Sequence, residues 1–375
     1  MPDNTSEIAE RIKIDLAPLK GVRVIAAISG GVDSSVMAVL LKEAGVDVVG
    51  VFLNVWEYSR DQVSGHGSCC SLEDSYDARR VADYIGMPFY VMDMRENFRR
   101  DVIDPFIHDY ETGRTPNPCE RCNRFVKFGS LLQAADKLEA EYVATGHYVQ
   151  RRDDENGIHL FKGNDAVKDQ SYFLATTNRE QAKRILFPVG GLEKDDTRKL
   201  AHYYNLPTAD KYESQDICFI PSGDRIAFLK SEGAKAGFVE GDIVDREGHV
   251  LGRHQGIAHF TLGQRKGLGL PDGPWHVVAL DGETSRVVVA HPENALIQEV
   301  EVGDMTWIRQ PEETEPITAK VRYQMRPAAC RIQFDGDFVR LLFDEPQKLT
   351  APGQVAAFYA GDELLGGGIV SKICQ

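Results

Sequence analysis

The sequence predicts an α/β protein: a doubly wound parallel sheet, then a small mixed central domain, then a C-terminal β-barrel. Three observations carry this. From Gly21 to about Tyr148, short β-branched apolar runs alternate with helical patterns, the sequence form of a parallel sheet covered on both faces. From Gly241 onward, alternation broken by Gly-containing turns takes over. The length, 375 residues, suits two to three domains of about 150 residues rather than one.

In the first domain, residues 1–208, the strands are read at Val22–Ile28, Val46–Leu53, Pro88–Asp93 and Tyr142–Thr145. Helices near Ser34–Glu43, Leu72–Ile85 and Cys122–Leu138 connect them, the second capped by Ser71 with Asp74. Helical patterns at Arg179–Ile185 and Asp196–Tyr204 complete the domain. Residues 209–290 form the mixed segment, with the Gly-rich basic stretch FTLGQRKGLGLPDGPW. Residues 291–375 read as an all-β barrel. Hairpins are expected at DREGHV, ALDGETSRVVV, QFDGDFVRLLF and FYAGDELLG.

Lys and Arg number 43 against 57 Asp and Glu, a net charge of −14. That excludes a protein that coats nucleic acid indiscriminately, yet a local basic stripe still binds RNA, because only phosphates within about a Debye length matter. The acidic, polar start MPDNTSEIAERIKIDL lacks the basic and apolar parts of a signal peptide, and no run approaches the ~18 apolar residues of a membrane span. A cytoplasmic protein with no membrane partner is expected. In a reducing compartment the seven unevenly spaced cysteines are candidates for catalysis, metal binding or burial rather than cross-linking.

Directly after the first strand, SGGVDSS (Ser29 to Ser35) leads into a helix. Gly30 and Gly31 let successive N–H groups point at one oxyanion, the helix N-terminus adds positive charge, and the Ser29, Ser34 and Ser35 hydroxyls add donors. The loop has no lysine and is not a Walker A motif. It resembles the signature of the PP-loop ATP pyrophosphatases, which have a Rossmann-like fold. That resemblance implies ATP with Mg2+, cleaved between its α and β phosphates to adenylate a carbonyl oxygen.

Cys119 and Cys122 stand in RTPNPCERCNRFVKFG and Cys218 in ESQDICFIP. Pro116 and Pro118 favour an extended chain up to Cys119, and Cys122 is expected to open a helix whose first turn lowers a thiol pKa. A C-x-x-C also suits half a zinc site, but no second such pair exists.

With GRTPNP at Gly113 to Pro118 and CN at Cys122 and Asn123, ATGHY at Ala144 to Tyr148, KDQSYFL at Lys168 to Leu174, SQDICFI at Ser214 to Ile220 and TLGQRKGLGL at Thr261 to Leu270, the chain resembles the bacterial tRNA-specific 2-thiouridylases over nearly its whole length. The resemblance implies an ATP-dependent sulfurtransferase that replaces the 2-oxygen of the wobble uridine of tRNA with sulfur. It makes Cys218 the persulfide carrier and Cys122 the second catalytic cysteine. It places ATP at Ala27, Ile28, Ser29, Gly30, Gly31, Val32, Asp33 and Ser34, with Leu53 and Gly146. It sets the target base at Asn117, Pro118 and Cys119, and tRNA at Lys168, Asp169 and Gln170 and at Arg322 with Tyr323. A protein that donates sulfur is the implied partner.

Cys119 departs from the pattern, since many relatives have aspartate there. Two sulfur mechanisms therefore stay open: a persulfide on Cys218 resolved by Cys122 into a disulfide, or a [4Fe-4S] cluster held by Cys119, Cys122 and Cys218. Two rival functions are another PP-loop adenylating ligase or amidotransferase, which needs no paired cysteines, and a non-catalytic RNA-binding protein. A basic surface is expected from Arg121, Arg124, Lys127, Lys168, Arg265, Lys266, Arg322, Arg326 and Arg331, with Gln264 in the same loop. Cys330 and Cys374 read as incidental or buried, Cys69 and Cys70 as non-catalytic, and His147 as lining the sheet's carboxyl edge.

Overall fold

The computed structural model describes residues 4–56, 72–213, 217–220 and 223–374, so Cys69, Cys70 and the Ser71 cap lie outside the described residues. The chain divides into two compact units. One comprises residues 1–101, 121–223 and 362–364, the other 102–120, 224–361 and 365–375.

The first unit is built on five parallel strands: β1 (Arg23–Ala27), β2 (Asp47–Asn54), β3 (Phe89–Asp93), β4 (Tyr142–Ala144) and, after a hairpin of β5 (Val149–Asp154) and β6 (Gly157–Lys162), β7 (Ile185–Leu186). Their order is β3-β2-β1-β4-β7, which puts β1 at the centre with Ile25 between Val49 and Val143. Alternation along β1 assigns the two faces. Val24, Ala26 and Ile28 pack under helices Thr5–Leu16 and Val32–Glu43, while Ile25 and Ala27 meet Leu131, Ala134 and Ala135 of the opposite layer. Both layers are dry, as a parallel sheet requires.

Three expectations need correction. Ile185 is not helical: the helix is Arg179–Ala182, closed by a capping box at Asn178, and Ile185 then pairs with Val143 as the edge strand. The helix assigned to Cys122–Leu138 starts at Pro118 and runs on through a widened stretch, Cys122–Ser130, to Lys137. Proline at a first helical position has no N–H to leave unpaired and its φ is already set. The β5–β6 hairpin was not expected, because β5 is mostly charged, although its Asn156-Gly157 turn, with φ +119° at the glycine, was a readable hairpin signal. Its Leu160 and Phe161 pair with Leu364 and Glu363.

The second unit carries a four-stranded sheet of β8 (Gly241–Val244), β9 (Val250–His254), β10 (His276–Asp281) and β11 (Arg286–Ala290), in the order β10-β11-β8-β9. After it come β12 (Leu296–Trp307), β13 (Ile317–Lys320), β14 (Ala328–Asp335), β15 (Phe338–Lys348), β16 (Val355–Ala360) and β17 (Glu363–Cys374). They run β12-β15-β14-β13-β16-β17, and β12 pairs with β17, so the six strands close into a barrel as expected. Each of the four expected hairpins joins consecutive strands here. Residues 113–117 are pinned within this unit: Thr115 N–H donates to the Pro352 carbonyl at 2.8 Å, and a Cβ on Gly113 would sit 2.9 Å from the Leu280 oxygen.

Candidate active site

The phosphate loop leaves the carboxyl end of β1, where open α/β sheets hold ligands. Gly30 has φ +75°, and an added Cβ would collide with the Asp74 carbonyl, so only glycine makes this turn. The serines are tied locally. Ser29 N–H reaches Ser34 Oγ at 3.2 Å, and the Ser34 and Ser35 hydroxyls donate to the Gly31 carbonyl at 3.0 and 2.8 Å. Thr208, missed from the sequence, donates to Ser35 Oγ at 2.9 Å from far along the chain. Gly146, at the end of β4, lies so close that a Cβ would be 2.8 Å from Ser34 N. Ala27 and Leu53 are half-buried beside the loop's strand layer, and Ile28 and Val32 are buried.

Asp33 is not solitary. Its carboxylate takes the Lys194 ammonium at 2.6 Å and the Tyr148 hydroxyl at 2.8 Å. Burial, then the Asp33 charge, pushes the Tyr148 phenol upward, so it stays a donor. Lys194 is itself buried and bridges to Glu213 at 3.1 Å, which also meets Lys168 at 2.5 Å and Arg198 at 3.3 Å. Burial would raise the Glu213 carboxyl, but Lys168 and Lys194 outweigh it and bring it down to about 2. Lys194 was invisible in the sequence because it reaches the loop from a helix 161 positions away. Tyr148 closes ATGHY, and its motif was the available signal. His147 beside it is half-buried, bonded to Thr145 Oγ1 at 2.8 Å, and held below its usual pKa by burial and then by Lys127.

The 168–170 stretch is mostly turned inward. Asp169 is buried and accepts from Gly163 N–H and from Ser171 N–H and hydroxyl at 3.0–3.1 Å, while Gln170 accepts the Tyr148 N–H at 3.1 Å. Lys168 is spoken for by Glu213.

Cys119, Cys122 and Cys218 are thiols, not joined in disulfides. Because the helix begins at Pro118, Cys119 rather than Cys122 occupies its first turn, where the partial positive charge of the N-terminus is greatest; the sequence expectation for Cys122 is corrected. Asn117 Oδ1 caps that turn by accepting the Glu120 N–H at 3.2 Å. Cys119 is exposed and belongs to the second unit; Cys122 is half-buried and belongs to the first, the division falling between Glu120 and Arg121. Asn123 is buried, with one side-chain bond to the Phe173 carbonyl at 3.2 Å and its Oδ1 unpartnered. Half-buried Cys218 precedes Phe219, whose ring meets Phe98 edge-on at 5.6 Å and Trp56 at 6.5 Å. Among the described residues, the three-ligand cluster with donor atoms within 4.8 Å of one another is Asp245, Glu247 and His249, not the cysteines. Cys330 is buried, its thiol pushed up to about 12 by burial, and Cys374 is half-buried.

In the second unit two candidate RNA segments meet. The Arg322 guanidinium donates to the Leu262 carbonyl at 2.8 Å, inside the TLGQRK loop, and Tyr323 is 38% exposed beneath Lys320. Gln264 ties the loop internally through Thr261 and Lys266, which leaves Arg265 and Lys266 exposed. Arg326 is exposed, and Arg331 lies 3.7 Å from Asp344. In the first unit, Arg121 donates to the Asp101 carbonyl at 2.7 Å, and both Arg121 and Arg124 lie over Phe125. No helix among the described residues is long and apolar enough to cross a membrane.

Three family models match in succession: the tRNA methyl transferase HUP domain over residues 22–222, the tRNA methyl transferase PRC-barrel domain over 226–291 and the aminomethyltransferase β-barrel domain over 297–370. The tRNA-specific 2-thiouridylase MnmA of Geobacter metallireducens is 47% identical over 353 residues, 92% of this chain and 96% of that protein. The namesakes from Magnetococcus marinus and Geotalea uraniireducens are 44% and 45% identical, covering 92% and 93% of this chain and 98% and 95% of theirs. The first models carry a methyl transferase label, but the relatives alike from end to end carry the thiouridylase name, and a nitrogen-using ligase or amidotransferase is not favoured. On that full-length likeness, the chain belongs to the family of tRNA-specific 2-thiouridylases, the sulfurtransferases that modify tRNA.

Proposed function

We propose that the chain activates the wobble uridine of tRNA with ATP and Mg2+, releases pyrophosphate and replaces the 2-oxygen with sulfur in the cytoplasm. The observation that carries this reading is the lysine-free phosphate loop at the end of β1, whose donors suit a departing pyrophosphate. Asp33 is the loop's carboxylate for Mg2+, which would offset charge on the phosphates. Asn117, Pro118 and Cys119 are assigned to the target base, and Arg322 and Tyr323 to tRNA. The uridine C2 is a poor electrophile until adenylation turns its oxygen into a leaving group.

In the persulfide version, the Cys122 thiolate attacks the Sγ of persulfidated Cys218, the S–S bond breaks, and hydrosulfide leaves with the electron pair as a Cys122–Cys218 disulfide forms. Hydrosulfide then bonds to C2 as the C–O bond to AMP breaks. An external dithiol reduces the disulfide, and a donor protein restores the persulfide. A second reading is favoured by one observation: Cys119 and Cys122 stand one turn apart on a single helical run, with Cys218 as a third thiol. Three thiolates suit a [4Fe-4S] cluster, which when bound supplies an open iron for hydrosulfide.

The test is product analysis with tRNA. AMP and pyrophosphate are expected, and ADP with phosphate would overturn the reading. Cys119→Ala separates the sulfur versions: an active, iron-free variant rules out the cluster, whereas activity lost together with iron rules out the simple persulfide route.

A further inference from the structure

The helical run that carries Cys122 is basic, and it holds one aromatic ring out to solvent. Over residues 121–130 it bears Arg121, Arg124 and Lys127 and no acidic residue, in a chain whose net charge is −14. Phe125 sits among them at 36% exposed, whereas Val126 and Phe128 of the same run are buried. An amphipathic helix ordinarily gives that outward position to a polar side chain.

Two cations flank the ring. The Arg121 guanidinium lies 5.2 Å from its centroid and that of Arg124 4.9 Å, within the range over which a cation is drawn to an aromatic face. The run beneath them is pinned: Arg121 Nε donates to the Asp101 carbonyl at 2.7 Å and Asn123 Nδ2 to the Phe173 carbonyl at 3.2 Å. A ring and two guanidinium planes held in this way offer a stacking surface with positive charge beside it and little freedom left to lose on binding.

Unpaired RNA bases are held by surfaces of this kind, the base stacking on a ring or a guanidinium while the charge meets phosphates. A protein partner fits less well, because one exposed ring with its cations is far below the area that a stable protein interface buries. Cys122 lies three residues from Phe125, no more than about 4.5 Å along the axis at the rise of an α-helix, close to the ~3.4 Å step between nucleotides of a strand. We propose that Phe125, flanked by Arg121 and Arg124, stacks on the unpaired base next to the target uridine of tRNA and so holds the strand while Cys122 acts at the uridine. The inference rests on the assignment of Cys122 to sulfur transfer at that base. It adds a contact that ignores base identity, since every base has a π face, so tRNAs that differ beside the wobble uridine are accepted alike.

The experiment measures tRNA binding by filter retention over a salt series, using the full chain and tRNA ligated to carry an abasic nucleotide at either neighbour of the wobble uridine. Phe125→Leu, which keeps apolar bulk and loses the ring, is expected to weaken binding of intact tRNA about tenfold, and Phe125→Trp to bind within about twofold of the unsubstituted protein. With tRNA abasic at the stacked neighbour, the loss caused by Phe125→Leu is expected to shrink below about threefold, because the partner of the ring is already gone. Its salt slope is expected to change by less than about 0.5, since no phosphate contact is removed. Full binding by Phe125→Leu overturns the stack, as does a Phe125→Trp protein that binds as weakly as Phe125→Leu. So does a tenfold loss that persists with both abasic tRNAs, or one accompanied by a slope lowered by about 1.8, the mark of a ring that only props its two guanidiniums. If Phe125→Leu fails to fold, the unsubstituted protein decides: one abasic tRNA is expected to bind about tenfold more weakly than intact tRNA, and binding of both within about twofold overturns the stack. The assignment beneath the proposal fails separately, through a Cys122→Ala protein that thiolates tRNA at the full rate, whatever the binding of the Phe125 variants.

Discussion

The phosphate loop and the cysteine segments are organised on opposite principles. The loop is one strand, one turn and one helix, and apart from the Thr208 bond to Ser35 its serines bond to atoms within five positions of themselves. Its shape is therefore local, and distant residues such as Thr208 and Gly146 only brace it. The cysteines stand on two separate segments, a helix entered at Pro118 and a turn anchored by the Phe219 ring on Phe98. On the proposed function, activation would have a site shaped before any substrate arrives, while sulfur transfer would depend on bringing two pieces of chain into register.

Cys122→Ala and Cys218→Ala are each expected to lower tRNA thiolation at least ~10³-fold while AMP formation stays within about threefold, because only the sulfur step needs them. Loss of both activities in either variant would mean the loop and the cysteines act as one site. The converse is Gly30→Ala, expected to cut AMP formation by about 10²-fold, since the side chain meets both a positive φ and the Asp74 carbonyl. A single-turnover assay of AMP release measures it, and a fall under threefold would show that the loop is less preformed than its geometry indicates.

Smaller effects test the second unit. Arg265→Ala with Lys266→Ala is expected to weaken tRNA binding about tenfold near 0.1 M salt and to lower the salt slope by about 1.5, as the loss of two phosphate contacts requires. Filter binding across a salt series decides, and an unchanged slope removes the loop from the RNA surface.

The smallest effect concerns Glu213, whose carboxyl is held at about 2 in the folded chain against an ordinary value of 4.5. A depressed folded pKa means that the carboxylate stabilises the fold fully above pH 4.5 and progressively less as pH falls toward 2. Urea midpoints measured over that range are expected to drop less steeply in Glu213→Gln than in the unsubstituted protein. Identical slopes would mean that its ion pairs add nothing to folding.

Much of this was legible residue by residue. The β-branched runs at Val24–Ala27 and Val48–Leu53 announced buried strands, because a sheet covered on both faces needs apolar side chains at successive positions. Gly-containing turns announced the barrel hairpins for the same kind of local reason. The β5–β6 hairpin is hard to read because the run of charge in β5 masks its alternation, although Asn156-Gly157 marks its turn. The helix start at Pro118 is ambiguous in the sequence because proline extends the residue before it and equally suits a first helical position.

What the sequence determined by itself was the order of layers, the barrel hairpins and the glycine-bearing turn at the end of β1, since each depends on neighbouring residues and their periodicity. Tertiary structure alone decided which charges face the loop. Lys194 meets Asp33 across 161 positions, and Glu213 joins Lys168, Lys194 and Arg198, because the parallel sheet folds distant crossovers onto one edge. The same physics set Asp169 and Gln170 to bonding the chain itself: buried polar groups must find partners, and beside the local Asp169–Ser171 turn those partners were Gly163 and Tyr148, positions that no spacing rule connects.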